Sequence, residues 1–114
     1  MTKTNSLTTA CLNVLALNGF KAWKVYNGAV YDVKDNCYRK DKNKLLGIPD
    51  INGFHLKTGK AIYVEIKGTK SDKPSIHQIR FCTMAQEAGC YVFTEVRDAE
   101  IFHRQLVEKL TLNK

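Results

Sequence analysis

The sequence predicts an α/β domain with elements in the order helix, strand, strand, strand, helix, strand, helix (αβββαβα), and three observations carry the prediction. Apolar residues recur at helical spacing in three separate stretches, one near the N-terminus, one after Pro74 and one after Asp98. Two stretches of alternating character, residues 49–56 and 61–67, flank a Lys57-Thr58-Gly59-Lys60 turn signal. A run rich in Tyr, Val and Phe, residues 90–96, separates the second and third helical stripes. At 114 residues the chain suits one packed core rather than two, so a single domain over 1–114 is expected.

The first helix rests on Leu7, Ala10, Cys11, Val14 and Leu15, which fall at i, i+3, i+4, i+7 and i+8, with Asn5 or Ser6 as N-cap and Gly19 as C′ residue. The following KAWKVYNGAVYDV sets Ala22, Lys24 and Tyr26 against Trp23 and Val25 as a strand, interrupted by an Asn27-Gly28 turn signal. Residues 34–44 carry Lys34, Arg39, Lys40, Lys42 and Lys44 without hydrophobic periodicity and read as an exposed, mobile loop. After the two strands at 49–56 and 61–67, Pro74 and Ser75 open a helix with Phe81, Met84, Ala85 and Ala88 on its apolar stripe, and Gly89 ends it. Residues 90–96 read as a buried strand, and Asp98 caps a last helix with Ala99, Phe102, Leu106 and Leu110 on one face.

Composition excludes several classes. With 44% hydrophobic and 25% charged residues and two prolines, the chain is neither disordered nor collagenous. No apolar run approaches the roughly 20 residues that span a bilayer, and the interrupted N-terminal patch does not read as a signal peptide, so no membrane is expected and a cytoplasmic setting is. The four cysteines form no CxxC pair and the three histidines have no zinc-like spacing, which points to reduced, mostly buried thiols. Eighteen Lys plus Arg against eleven Asp plus Glu gives +7, a balance that attracts polyanions, nucleic acid first.

The chemistry concentrates in residues 47–68, GIPDINGFHLKTGKAIYVEIKG, where Asp50, Glu65 and Lys67 interrupt apolar strands. Alternation puts Glu65 and Lys67 on one face with Tyr63, and Ile62, Val64 and Ile66 on the other. A two-residue Thr58-Gly59 turn would place Asn52 opposite Glu65 and Asp50 opposite Lys67, whereas a three-residue turn with a Gly59 bulge would slip the register by one and part the two acids. Two carboxylates close together on a rigid sheet repel, a cost that a divalent cation between them removes. Such a site suits phosphodiester chemistry, with Lys67 orienting or deprotonating the attacking water. The alternative for the same residues is a solvent-facing salt-bridge ladder.

At these positions the chain resembles the PD-(D/E)xK nuclease superfamily, through Pro49-Asp50 and Glu65-Ile66-Lys67, and more narrowly the VRR-NUC family. The narrower resemblance rests on Gly47-Ile48-Pro49-Asp50, Glu65-Ile66-Lys67-Gly68, Pro74 and Gln78, with Asn27-Gly28 upstream, and covers about residues 6–96. It implies a restriction-endonuclease-like core, a mixed β-sheet flanked by helices. It also implies Mg²⁺ (or Mn²⁺) bound by Asp50, Glu65 and the backbone carbonyl of Ile66, with Lys67 beside the water. Gln78, one turn before Phe81 and Cys82 on the apolar stripe of its helix, is placed either to reach the site or to serve as a hydrogen-bonded structural glutamine. One departure is that many relatives carry a metal-binding glutamate in the first helix, while residues 5–18 contain no acid and offer only Asn5, Thr8, Thr9 or Asn13 as oxygen ligands.

Lys34, Arg39, Lys40, Lys42, Lys44, Lys70 and Lys73 are the candidate DNA-binding residues, gripping phosphates without reading bases. Stand-alone relatives of this size resemble phage and bacterial Holliday-junction resolvases that act as homodimers on branched DNA, and two symmetric nicks need two sites. The expected activity is therefore a structure-selective endodeoxyribonuclease in a bacterial or phage-infected cell. The alternatives are a catalytically silent DNA-binding module of the same fold, favoured by the missing acid, and a restriction or DNA-degrading nuclease acting on duplex.

Overall fold

In the computed structural model, which describes residues 3–25, 30–32, 34, 36–39, 47–68 and 73–112, the N-terminal apolar stripe forms helix α1 (Lys3–Leu17). Cys11, Val14 and Leu15 are its buried residues beside Thr8, with Leu7 partly buried. The helix starts upstream of the expected caps, so Asn5 and Ser6 lie inside it, and the Asn5 carbonyl accepts a hydrogen bond from Thr9 Oγ1 at 3.0 Å. Its end is as the sequence suggests: Gly19, at φ 84, takes the left-handed position that glycine adopts most easily. The Asn18 side chain donates to the Val14 carbonyl at 2.8 Å.

Strand β1 (Phe20–Lys24) follows directly, and a two-stranded antiparallel ribbon, β2 (Val30–Asp32) with β3 (Cys37–Arg39), pairs Tyr31 with Tyr38. The ribbon corrects the reading of residues 34–44 as loop throughout. A short ladder needs backbone pairing and β-prone residues, not hydrophobic periodicity, and Asn36 at φ 50 helps the chain reverse before β3. The Asn27-Gly28 turn signal lies outside the described residues.

The main sheet has the order β1-β4-β5-β6, with β4 at Ile51–His55, β5 at Ala61–Ile66 and β6 at Tyr91–Val96. The β1–β4 and β4–β5 pairs are antiparallel and β5–β6 is parallel, which requires the long crossover that helix α2 (Ile76–Glu87) provides. With the ribbon set aside, the elements follow the αβββαβα order. Helix α3 (Ala99–Leu112) closes the chain, its first turn capped by Asp98 Oδ1 accepting from Ile101 N at 2.9 Å.

Two layers of helix enclose this sheet. On one face Cys11, Val14 and Leu15 of α1 and Phe102 and Leu106 of α3 join Ile51, Ile62, Val64, Ile66 and Phe93 in a single core. Phe93 meets Phe102 edge to face at 5.2 Å. Fully burying residues such as Leu15, Ile51, Ile62, Phe102 and Leu106 contributes about 1.5–3 kcal/mol each. Helix α2 covers part of the other face and buries Cys82 and Ala85, while Met84 and Ala88 are exposed. The stripe therefore runs through Gln78, Cys82 and Ala85 rather than through Met84 and Ala88, because the helix turns Gln78 and Phe81 toward β5. No helix among the described residues is long and apolar enough to cross a membrane.

Candidate active site

The β4–β5 pairing sets the site. Ile51 lies opposite Val64, Asn52 opposite Tyr63 and Phe54 opposite Ala61, which brings Asp50 beside Glu65 rather than beside Lys67. Neither turn considered from the sequence forms. His55 N donates to Lys60 O at 2.9 Å and Gly59 N to His55 O at 2.8 Å, so the loop is wider, and the His55 ring organises it by accepting from Lys57 N at 3.2 Å. The pairing is offset by two residues from the two-residue-turn register. An even offset moves partners along the strand but leaves each side chain on its face. Asp50, Glu65 and Lys67 therefore still share one side, and the core receives Ile51, Val64 and Ile66.

Asp50 Oδ2 accepts from Ile66 N at 2.8 Å, which fixes the first carboxylate against the backbone of the second motif. Asn52, with its amide nitrogen turned toward the carbonyls of Pro49 and Ile51, donates to them at 3.2 and 3.1 Å and steadies the approach to Asp50. Gly47 accounts for the first glycine of the motif: at φ 82 its α-carbon faces the His77 carbonyl, and a Cβ there would collide with that backbone. The segment before Asp50 is thus pinned to the first turn of α2.

Gln78 links the remaining groups. Its Nε2 donates to Glu65 Oε1 at 3.0 Å, and its Oε1 accepts from Lys67 Nζ at 3.4 Å and from Ser75 N at 2.9 Å. Ser75 Oγ accepts from Gln78 N at 3.1 Å, completing a capping box, so the residue that starts α2 also orients the acid and the lysine. Lys67 Nζ lies 3.8 Å from Glu65 Oε1. Both side chains are 6% exposed, which rules out the solvent-facing ladder.

Glu65 Oε2 is buried and, among the described residues, accepts no hydrogen bond. Burial first, and the Asp50 charge second, push Glu65 up to about 8 from its ordinary 4.5, against the opposing pull of Lys67. A buried, orphaned carboxylate oxygen facing a second carboxylate is a set of hard oxygen donors short of positive charge, and Mg²⁺ or Mn²⁺ fits that deficit. Nearby Cys82 does not compete as a nucleophile, because burial first and the Glu65 charge second raise its thiol.

A cavity of about 230 Å³ opens from Glu65, Lys67 and Gln78 between α2 and β6, reaching Thr94 and Glu95. Glu95 belongs to a feature that sequence reasoning missed. Val64 pairs with Phe93 but Ile66 with Val96, so β6 carries an extra residue, and Glu95 takes φ 56 at this bulge. The signal was available: Phe93 and Val96 are both buried but three residues apart, where a regular strand would space inward residues by two.

Of the candidate DNA-binding residues, Lys34 and Lys73 are exposed and the backbone of Arg39 lies in β3. Lys40, Lys42, Lys44 and Lys70 lie outside the described residues. In α1, Asn5 Oδ1 accepts from Lys24 Nζ at 3.4 Å, and the helix buries Cys11, Val14 and Leu15 in the core on the sheet face opposite the acids.

No protein-family model and no curated protein matches the sequence. The fold is similar to that of a solved structure described as a VRR_NUC domain, at 21% sequence identity and a TM-score of 0.62, covering 95% of this chain and 97% of that one. The α/β architecture with its mixed sheet is thus shared with that structure over nearly its whole length.

Proposed function

We propose that the protein is a metal-dependent endodeoxyribonuclease of the VRR-NUC type, hydrolysing phosphodiester bonds in branched DNA as a homodimer. The observation that carries this reading is the convergence of Asp50, Glu65 and Lys67, with Gln78 bridging Glu65 and Lys67, Asp50 held by the Ile66 N–H, and Glu65 Oε2 unpartnered among the described residues. Asp50 and Glu65, with the Ile66 carbonyl, would hold Mg²⁺ (or Mn²⁺). When bound, the cation supplies charge neutralisation at the phosphate and makes a water molecule more acidic.

The chain's own residues do the rest. Gln78 holds Lys67 and Glu65 in fixed relation, so that Lys67 is presented to the attacking water and to the developing negative charge. Asp50, tied to the Ile66 N–H, is held beside Glu65. Exposed Lys34 and Lys73, with the basic residues of the 34–44 stretch, supply sequence-independent phosphate grip on a chain of charge +7. Two copies would supply the paired cuts that resolve a four-way junction.

A second reading, a silent DNA-binding module of the same fold, draws on the absence of any acid in α1. Cutting assays on four-way junctions, flaps and linear duplex in Mg²⁺ or Mn²⁺ separate the readings. Branched substrates cut by the wild type and spared by Lys67→Ala and Asp50→Asn support the resolvase-like enzyme. Preferred cutting of linear duplex favours a DNA-degrading role, and junction binding without cleavage favours the silent module.

A further inference from the structure

The sheet face that carries Asp50 and Glu65 continues past them in register. Val25 N bonds Asp50 O at 2.7 Å, and the next rows on that face are Trp23, Asn52 and Tyr63, then Lys21, Phe54 and Ala61. Helix α2 covers the β5 end of these rows, where Phe81 stands edge-on to Tyr63 at 5.0 Å. Among the described residues, the β1–β4 end stays open. Trp23 is 47% and Phe54 40% exposed, and their rings form a T-shaped pair with centroids 6.2 Å apart. Two residues along a strand and one strand across put the Trp23 backbone roughly 8 Å from that of Asp50.

We propose that Trp23 and Phe54 form a stacking platform for an unpaired DNA base beside the bond cut at Asp50 and Glu65. The inference rests on the nuclease reading and narrows its substrate class to DNA with single-stranded nucleotides at the site, such as a fork, a flap or an opened junction. Every base has a π-face, so aromatic platforms bind single strands with little sequence preference, whereas a paired base keeps its faces inside the duplex stack. Lys21, exposed in the Phe54 row, provides a cation for the phosphate of the stacked nucleotide. The same charge argues against a second copy as the occupant, which would bring like charge to a patch of two rings, far below the roughly 1,000 Å² that a stable interface buries.

Trp23 is the sole tryptophan of the chain, so its emission reports on this patch directly. The test titrates the whole wild-type chain in EDTA with an oligothymidylate, a forked duplex and a blunt duplex. Quenching is expected with the first two and not with the third. Trp23→Leu should weaken binding of the single-stranded and forked DNA by about 5- to 150-fold, leave blunt-duplex binding at the wild-type level, and be largely rescued by Trp23→Phe. DNA that binds in EDTA, and is cut once Mg²⁺ is supplied in excess, while the emission stays unmoved, or Trp23→Leu binding all three DNAs as the wild type does, overturns the platform and leaves the nuclease reading standing. An emission shift that follows protein concentration alone, with a matching rise in sedimenting mass, makes a second copy the occupant and also overturns it. Failure to bind or cut any DNA overturns both. The wild-type titration holds whether or not the variants fold.

Discussion

Replacing Glu65 by glutamine should stabilise the metal-free protein at alkaline pH, because the wild-type carboxyl is held in an environment that resists its ionisation. Burial and the neighbouring Asp50 raise Glu65 from 4.5 to about 8. Between those pH values the unfolded chain has lost this proton and the folded chain has kept it, so the wild-type contribution falls as pH rises and levels off above about 8. At about 1.4 kcal/mol per pH unit, the loss across that window reaches about 5 kcal/mol at most. Glutamine is neutral throughout, can accept from Gln78 Nε2 as Glu65 Oε1 does, and can turn its own amide nitrogen toward Asp50. Urea denaturation of both proteins in EDTA, from pH 5 to pH 9, isolates the effect as a difference. The two should be close at pH 5, with Glu65→Gln ahead by several kcal/mol at pH 9. Saturating Mg²⁺ should then restore the wild type, by about 2.7 kcal/mol at a hundred times the dissociation constant, and leave the variant unchanged. A wild-type stability that is level relative to the variant across this range, or a variant that is weaker at pH 9, would refute the reasoning.

Three further outcomes follow from the same geometry. Gln78→Ala removes the reciprocal cap on α2 and a hydrogen bond to each of two buried ionisable groups, and should cost about 2–4 kcal/mol in denaturant unfolding, together with most of the cleavage; a cost below about 0.5 kcal/mol would mean that the network contributes little. Gly47→Ala places a Cβ against the His77 carbonyl at a positive φ, so a loss of at least about 1–3 kcal/mol is expected, visible as a lowered melting temperature. Binding to duplex DNA should weaken linearly on a log–log plot against salt, and Lys73→Ala should reduce that slope by about 0.9 if the lysine contacts one phosphate; an unchanged slope removes Lys73 from the grip.

The sequence carried the site better than the turn that builds it. Because strand side chains alternate with a period of two, placing Asp50, Glu65 and Lys67 on one face required only the parity of the pairing, and the actual offset preserved that parity. The register itself depended on a wider loop in which His55 Nδ1 accepts from Lys57 N and Thr58 N, a local side-chain-to-backbone arrangement that the Thr58-Gly59 turn signal does not announce. Gln78 was legible as an inward residue near the start of α2, and the capping box with Ser75 explains its fixed position. The stripe of α2 was misjudged at Met84 and Ala88 because apolar spacing cannot say which of two overlapping faces meets the sheet. The ribbon of β2 and β3 escaped notice because two three-residue strands paired through their backbones are too short to carry a readable period. The bulge at Glu95 left a trace in residue spacing, but a positive φ at a glutamate has no compositional signature.

The central claim is that Asp50 and Glu65 together hold a divalent cation on the face shared with Lys67. Anomalous diffraction from crystals soaked in Mn²⁺ tests it most directly. One manganese peak is expected within about 2.0–2.3 Å of an oxygen from each carboxylate, and it should be absent from Asp50→Asn crystals. Manganese elsewhere in the molecule, or no peak at a carboxylate pair left as close together as it is without metal, would contradict the account.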